Sequence, residues 1–404
     1  MSKKRNVLVV GGIKDLHKKI IERGYSITSL MSKENYKTSF IQHSESVLIQ
    51  DFNKPEEILD LIKSIHERNI FEGVLCFYEK EQPLACYLAK ELGLLHTTEK
   101  AANIALNKHL LRKMLNENGL SYVEFKVCND VSDILNFLEY TEQPSIIKPV
   151  RDTASSQVYL VKNKNDLNAL LEKSDIKFPV LVEEYLEGIE ISVESFTING
   201  EHEIINMTQK ELAADSFVEI GHLLPYSISN KVDLEVFNTV KRALDLINHT
   251  FGPAHTEIKI TDNGPKIIET HTRPGGDLIF ELIEITTGIN LIDLSIDYQI
   301  SNLFSEDTLP KFKHNCLSSI KFFHSPTKGT ILDIQGIDRI KDLSNVEKVV
   351  FNSNKGDSVS LLRNSGDRIG YVILKGNSSQ EINNVWEKIK EIIKINIERI
   401  DNND

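Results

Sequence analysis

Cysteine is scarce in this chain: there are four, Cys76, Cys86, Cys128 and Cys316, with no CxxC pair and no histidine at metal-ligand spacing. That excludes a disulfide framework or a zinc cluster, and the four read as reduced packing residues of a cytoplasmic protein. The lone tryptophan, Trp386, falls in a helical stretch and is most simply core. Glycine is missing where a dinucleotide loop needs it. Gly11-Gly12 ends the first apolar run, but GGIKDLH carries no third glycine, so the segment reads as a tight turn rather than a GxGxxG loop. Long apolar runs are absent too: VLVV passes at once into charged residues, which fits a first β-strand and not a signal peptide. There is no excess of positive charge. Lys and Arg number 47 against 59 Asp and Glu, a net charge of −12, so neither nucleic acid nor an anionic membrane is expected as a partner. Any phosphate site must be built from local cations.

What is present is the composition of a globular protein, 40% hydrophobic and 26% charged over 404 residues, long enough for two to four domains. Residues 6–95 alternate strand patterns (7–10, 25–30, 46–50, 73–78) with helical ones, which predicts an open, mostly parallel sheet with helices on both faces. From Thr97 the pattern turns helical as far as Gly119, with Thr97 or Thr98 as N-cap and a helix over 107–118 that carries Lys108 near its start. Strands at 122–128, 145–150, 157–163 and 180–186, with helices at 132–140 and 164–173, predict a small α+β lobe. Two strands, a helix over 231–250, a hairpin and a helix over 277–300 follow. Further strands lie near 318–324, 348–352 and 371–376, and a final helix is expected from Ser379 to about Ile397.

The stretch HTEIKITDNGPKIIETHTRPGG, residues 255–276, is the most informative. Two β-like runs flank Asp262-Asn263-Gly264, which suits a three-residue hairpin loop. Pairing Thr261 with Pro265 sets Glu257 opposite Glu269. Carboxylates that close repel unless a cation lies between them, and Mg²⁺, held by one or two carboxylates plus phosphates, is the natural filler. Arg273 adds a forked donor for phosphate or carboxylate. The plain alternative is an exposed hairpin with solvated acids. Upstream, Lys108 begins a helix, and Lys148 emerges from the apolar strand IIKPV; together they can cradle phosphates. The RDTASSQ segment after Lys148 reads as a hairpin over a triphosphate or as an ordinary turn. In VEEYLEGIE, Gly188 breaks the strand, so amides near Tyr185 and Leu186 are expected to be free for an adenine edge and Glu190 for ribose hydroxyls, unless the segment is a plain hinge.

The ordered set Lys108, Lys148, VEEYLEG, Glu190, Glu257, Glu269, Arg273 resembles the ATP-grasp superfamily over residues 1–300. Within it, the 255–276 stretch is similar to L-amino-acid ligases of the bacilysin-synthesis type and to carnosine-synthase-like enzymes, and VEIGHLLP, with His222, resembles a segment those ligases place beside the substrate. The resemblance implies an α/β chain of four parts: a Rossmann-like domain (1–96), a small ATP-grasp lobe (97–185), a large lobe (186–304) and a C-terminal α/β domain (305–404). It implies Lys108 and Lys148 on ATP phosphates, Glu183, Tyr185 and Leu186 on adenine, and Glu190 on ribose. Glu257 and Glu269 would hold two Mg²⁺, with Mn²⁺ an alternative and His271 a weak ligand. Arg273 would meet the reacting phosphoryl or acyl-phosphate group, Gly275 and Gly276 a substrate carboxylate, and His222 the attacking amine. The chain has His271 where many relatives carry Asn, and RDTASSQV lacks the usual glycines.

The expected activity is ATP-dependent ligation of an amino-acid carboxylate to an amine through an acyl phosphate, with small-molecule substrates and a homodimeric assembly. The rivals are a carboxylating or purine-biosynthesis-type enzyme, and a nucleotide-binding protein without catalysis.

Overall fold

The computed structural model describes residues 5–399 apart from 13, 37, 151–156, 215 and 301–308. The expected phosphate turn RDTASSQ therefore lies, but for Gln157, outside the described residues. The first sheet has the strand order Ser46–Ile49, Ser26–Met31, Asn6–Val10, Phe71–Leu75, all parallel. Every residue of Asn6–Val10 is buried, because helices cover both faces of a parallel sheet and leave no strand face for water. The last strand ends at Leu75, earlier than its apolar run. Its successor Cys76 gives its carbonyl to the Gln82 side chain (2.6 Å), and Glu79–Glu81 forms a short 3₁₀ turn. That departure carries Glu79 and Glu81 off the sheet edge toward the centre of the molecule.

The pattern over 97–119 is two helices, Glu99–Leu106 and Lys108–Glu117. Asn107 breaks it: its backbone is extended, and its side chain caps the second helix at the Leu110 amide (3.2 Å). The break makes Lys108 the first residue of its helix, in agreement with the helix expected over 107–118. Thr98 caps the first by accepting from the Ala101 amide at 3.1 Å. Beyond lies an antiparallel sheet ordered Phe125–Cys128, Val180–Glu184, Ser145–Pro149, Tyr159–Val161.

Eight antiparallel strands form the largest sheet: Gly264–His271, Gly252–Thr261, Ile189–Ile198, Glu201–Leu212, Glu219–Leu224, Leu317–His324, Arg368–Gly376 and Val346–Phe351. Helix Asn230–Ile247 buries Val236, Val240 and Leu244 against Ile191, Val193, Ile258 and Ile267 of the strands. At roughly 1.5–3 kcal/mol per buried aliphatic side chain, this contact is a principal anchor of the sheet's site-bearing end. The expected helix 277–300 is split: Gly288, at φ +77°, ends Ile279–Thr287, and Leu291–Ile300 follows. The expected terminal helix stops at Ile392. Lys394–Arg399 pairs with Gly329–Gln335 instead, because Ile395 and Ile397 recur with a period of two and pack on the C-terminal core. Trp386 packs partly buried against that same core. No helix among the described residues is long and apolar enough to cross a membrane.

Candidate active site

The hairpin pairs Glu257 directly with Glu269. Its turn is shorter than the sequence suggests: Thr261 pairs with Gly264 around a two-residue loop, and a bulge at Ile268 restores the register that opposes the two acids. Their side chains are 17% and 18% exposed, opening on a cleft rather than on bulk solvent. Lys108 Nζ lies 2.8 Å from Glu269 Oε2, and Lys210 Nζ 3.0 Å from Glu257 Oε2. Burial alone would raise both carboxyl pKa values; the ammonium of Lys210 at one and of Lys108 at the other outweighs it, holding both well below the usual range.

Two histidines stand behind the pair, with ring centroids 5.9 Å apart. His255 places Nδ1 at 2.6 Å from the buried Glu194 and Nε2 at 3.4 Å from Glu257. Burial opposes its charge, but Glu194 prevails and raises its pKa to about 9. His271 sits between Glu79, 3.1 Å from Nδ1, and Glu269, 3.2 Å from Nε2.

One side of the acidic pair is a cleft lined by Lys108, Lys148, Glu183, Tyr185, Leu186 and Glu190 among others, so every residue assigned to ATP from the sequence borders one space. Lys148 and Arg112 both grip Glu183, Arg112 at 2.7 Å. Burial would push Glu183 up; the two cations bring it down to about 2. Glu190 accepts from Lys210 (2.9 Å) and from its cross-strand neighbour Lys259 (3.1 Å). The Tyr185 amide is not free as expected: it donates to the Pro144 carbonyl at 2.7 Å, because the chain stays beside the preceding sheet one residue longer than its breaker suggests.

On the other side lies a cavity of about 1190 Å³, above the roughly 300–1,000 Å³ of a single small-ligand pocket. Arg273 lines it, with Nε 3.1 Å from Glu79 Oε2. Burial would raise the Glu79 pKa; His271 and Arg273 lower it to about 2. Of the two glycines, Gly275 leaves no room for a side chain: a Cβ there would lie 2.9 Å from His255 Nδ1 and 3.0 Å from Glu194 Oε2. Gly276 faces open space. His222 is buried and places Nε2 at 3.0 Å from Asp277.

Sequence reasoning missed Arg112, Lys210, Lys259, Glu79, Glu194, Asp277 and Arg368. Arg112, one helical turn past Lys108, and Lys259, two residues past Glu257 on the same strand face, were detectable from period alone. Among the described residues no group of three or more His, Cys, Asp or Glu is disposed to hold a metal ion. Two opposed carboxylates open to a cleft nonetheless fit Mg²⁺, which takes its remaining oxygens from water and phosphate.

Residues 141–281 match the ATP-grasp domain, and residues 321–398 match the L-amino acid ligase C-terminal domain 2. The chain is 24% identical over 423 residues to alanine–anticapsin ligase of Bacillus subtilis (strain 168), covering 94% of this chain and 89% of that one. It is 26% identical over 288 residues to the carbamoyl phosphate synthase large chain of Saccharolobus islandicus (strain M.14.25 / Kamchatka #1), covering 68% of this chain but 26% of that protein. In fold it is similar to an L-amino acid ligase from Bacillus licheniformis (TM-score 0.84, 19% identity, 99% and 100% of the two chains covered). Phosphoribosylglycinamide synthetase from Anaerococcus prevotii is also similar in fold (TM-score 0.73, 18% identity, 98% and 100% covered). With this fold and this cleft, the chain carries an ATP-grasp domain over residues 141–281 and a match to the L-amino acid ligase C-terminal domain 2 over residues 321–398.

Proposed function

We propose that this protein is an ATP-dependent carboxylate–amine ligase joining an amino acid to an amine through an acyl phosphate, with release of ADP and phosphate. One observation carries the reading: the Glu257–Glu269 pair stands between a cation-lined cleft and a cavity large enough for two small substrates. A substrate carboxylate attacks the γ-phosphorus of ATP, the bond to the β-phosphate oxygen breaks, and ADP leaves. The amine then attacks the acyl carbon, sheds a proton and expels phosphate. Magnesium held by Glu257 and Glu269 would offset phosphate charge when bound. Lys108 and Lys148 neutralise phosphate oxygens, Arg273 steadies the transferred group, and Glu183 and Glu190 keep the cleft's cations in register. The four-part division of the chain at 96, 185 and 304 belongs to this same reading.

Carboxylate oxygen traces the intermediate. With an ¹⁸O-labelled amino acid, attack on the γ-phosphorus predicts one labelled oxygen in the released phosphate and a mass-detected amide. Phosphate without label excludes the acyl phosphate, and ADP release driven by bicarbonate with amino acids inert favours the carboxylating class.

A further inference from the structure

Arg368 lies in the matched C-terminal domain, yet its guanidinium reaches the wall of the substrate cavity. Nη1 is 2.7 Å from Asp277 Oδ1, Nη2 and Nε are 2.8 and 3.1 Å from the Glu219 carbonyl, and Nη2 is 3.2 Å from Glu219 Oε2. The group lies 3.8 Å from the centre of the Phe322 ring. A planar fork serves these contacts together; a single ammonium cannot. Asp277 in turn accepts from His222 Nε2 at 3.0 Å, while His222 Nδ1 is buried without a hydrogen-bond partner. The Asp277 bond thus selects the ring's orientation.

A second observation is independent of these distances. Asp277 and Leu278, directly after the open Gly276, both have left-handed backbone, at φ +49° and +62°. Such a conformation is unfavourable for a non-glycine residue and persists only where the surroundings impose it. The Ile279 amide closes this turn on the Gly276 carbonyl at 2.9 Å, and Arg368 and His222 hold the Asp277 carboxylate within it.

We propose that Arg368 is a positioning residue for the amino-acid substrate: by fixing Asp277 it holds both the His222 ring and the strained Gly276–Leu278 turn that shape the cavity wall. The C-terminal domain would then complete the substrate site, an inference that rests on the ligase reading. Glu219 also lies 3.3 Å from Lys210, which holds Glu190 at 2.9 Å and Glu257 at 3.0 Å, so KM for ATP is the control that separates the substrate cavity from the nucleotide cleft.

Steady-state ADP release of the full chain tests it. Arg368→Met is expected to raise KM for at least one amino-acid substrate tenfold or more while KM for ATP stays within twofold. Asp277→Asn should shift the same KM, Arg368→Lys should recover only part of the loss, and the Arg368→Met/Asp277→Asn double variant should be no worse than Arg368→Met. If Arg368→Met does not fold, Arg368→Lys and Asp277→Asn carry the test. Amino-acid KM values within twofold of wild type in the folded variants, or a parallel rise in KM for ATP, overturn the proposal. Wild-type protein that releases no ADP with any amino-acid pair overturns the ligase reading and this inference together.

Discussion

Glu79 accepts from both Nε and Nη2 of Arg273, 194 residues further along the chain. The 3₁₀ turn that follows the first sheet's edge strand thus supplies the carboxylate that orients the arginine on the far side of the cavity. Replacing Glu79 by Gln keeps an acceptor but loses the charge. We expect kcat/KM to fall about a hundredfold, the scale of a misaligned reacting group, and the melting temperature to fall as well, because Arg273 and His271 lose their carboxylate partner. Steady-state phosphate release and a thermal melt check both halves.

Glu183 is gripped by Arg112 and Lys148 and fully desolvated, and Arg112 also donates to the Ile267 and Ser121 carbonyls. Arg112→Met strips Glu183 of one cation and removes the side-chain donor from the Ile267 and Ser121 carbonyls. Breaking a buried pair on one side typically costs about 3–5 kcal/mol, which denaturant titration should reveal. A loss below about 1 kcal/mol would mean that Glu183 is solvated.

Histidines away from the acidic pair predict the acid response. Burial lowers His249 to about 3 and His96 to about 4. His249 is held neutral, with Thr97 Oγ1 at 2.9 Å from Nδ1 and the Gly252 carbonyl at 3.1 Å from Nε2. The unfolded chain, whose histidines titrate near 6.5, binds more protons than the folded one below that pH. Their stability contribution is therefore complete above about 6.5 and declines as pH falls toward 4. Melting temperature should drop between pH 6.5 and 5, before the carboxylates protonate, and His249→Asn should drop less steeply. Identical slopes for the two proteins contradict this assignment.

Periodicity reveals the strands and helices of this chain because each element buries one face, and the opposed Glu257 and Glu269 follow from it. Turn detail does not. The expected three-residue loop and the observed two-residue loop with a bulge at Ile268 give the same pairing of acids. A break set by a single residue, such as Gly288 between Ile279–Thr287 and Leu291–Ile300, is hidden inside a continuous apolar pattern. Least legible were partners that meet only through the tertiary fold: nothing near Glu79 points to Arg273, and nothing near Arg368 points to Asp277. The strand Lys394–Arg399 was masked by charged residues that suit a helix as well as an edge.

The account stands most directly on turnover by Glu269→Gln, a change that preserves shape while removing one of the two facing charges. With ATP, magnesium and a productive amino-acid pair identified on the wild type, we predict loss of amide product and ADP by at least a thousandfold in a variant that melts like the wild type. Product formed at the wild-type rate by folded Glu269→Gln would contradict it.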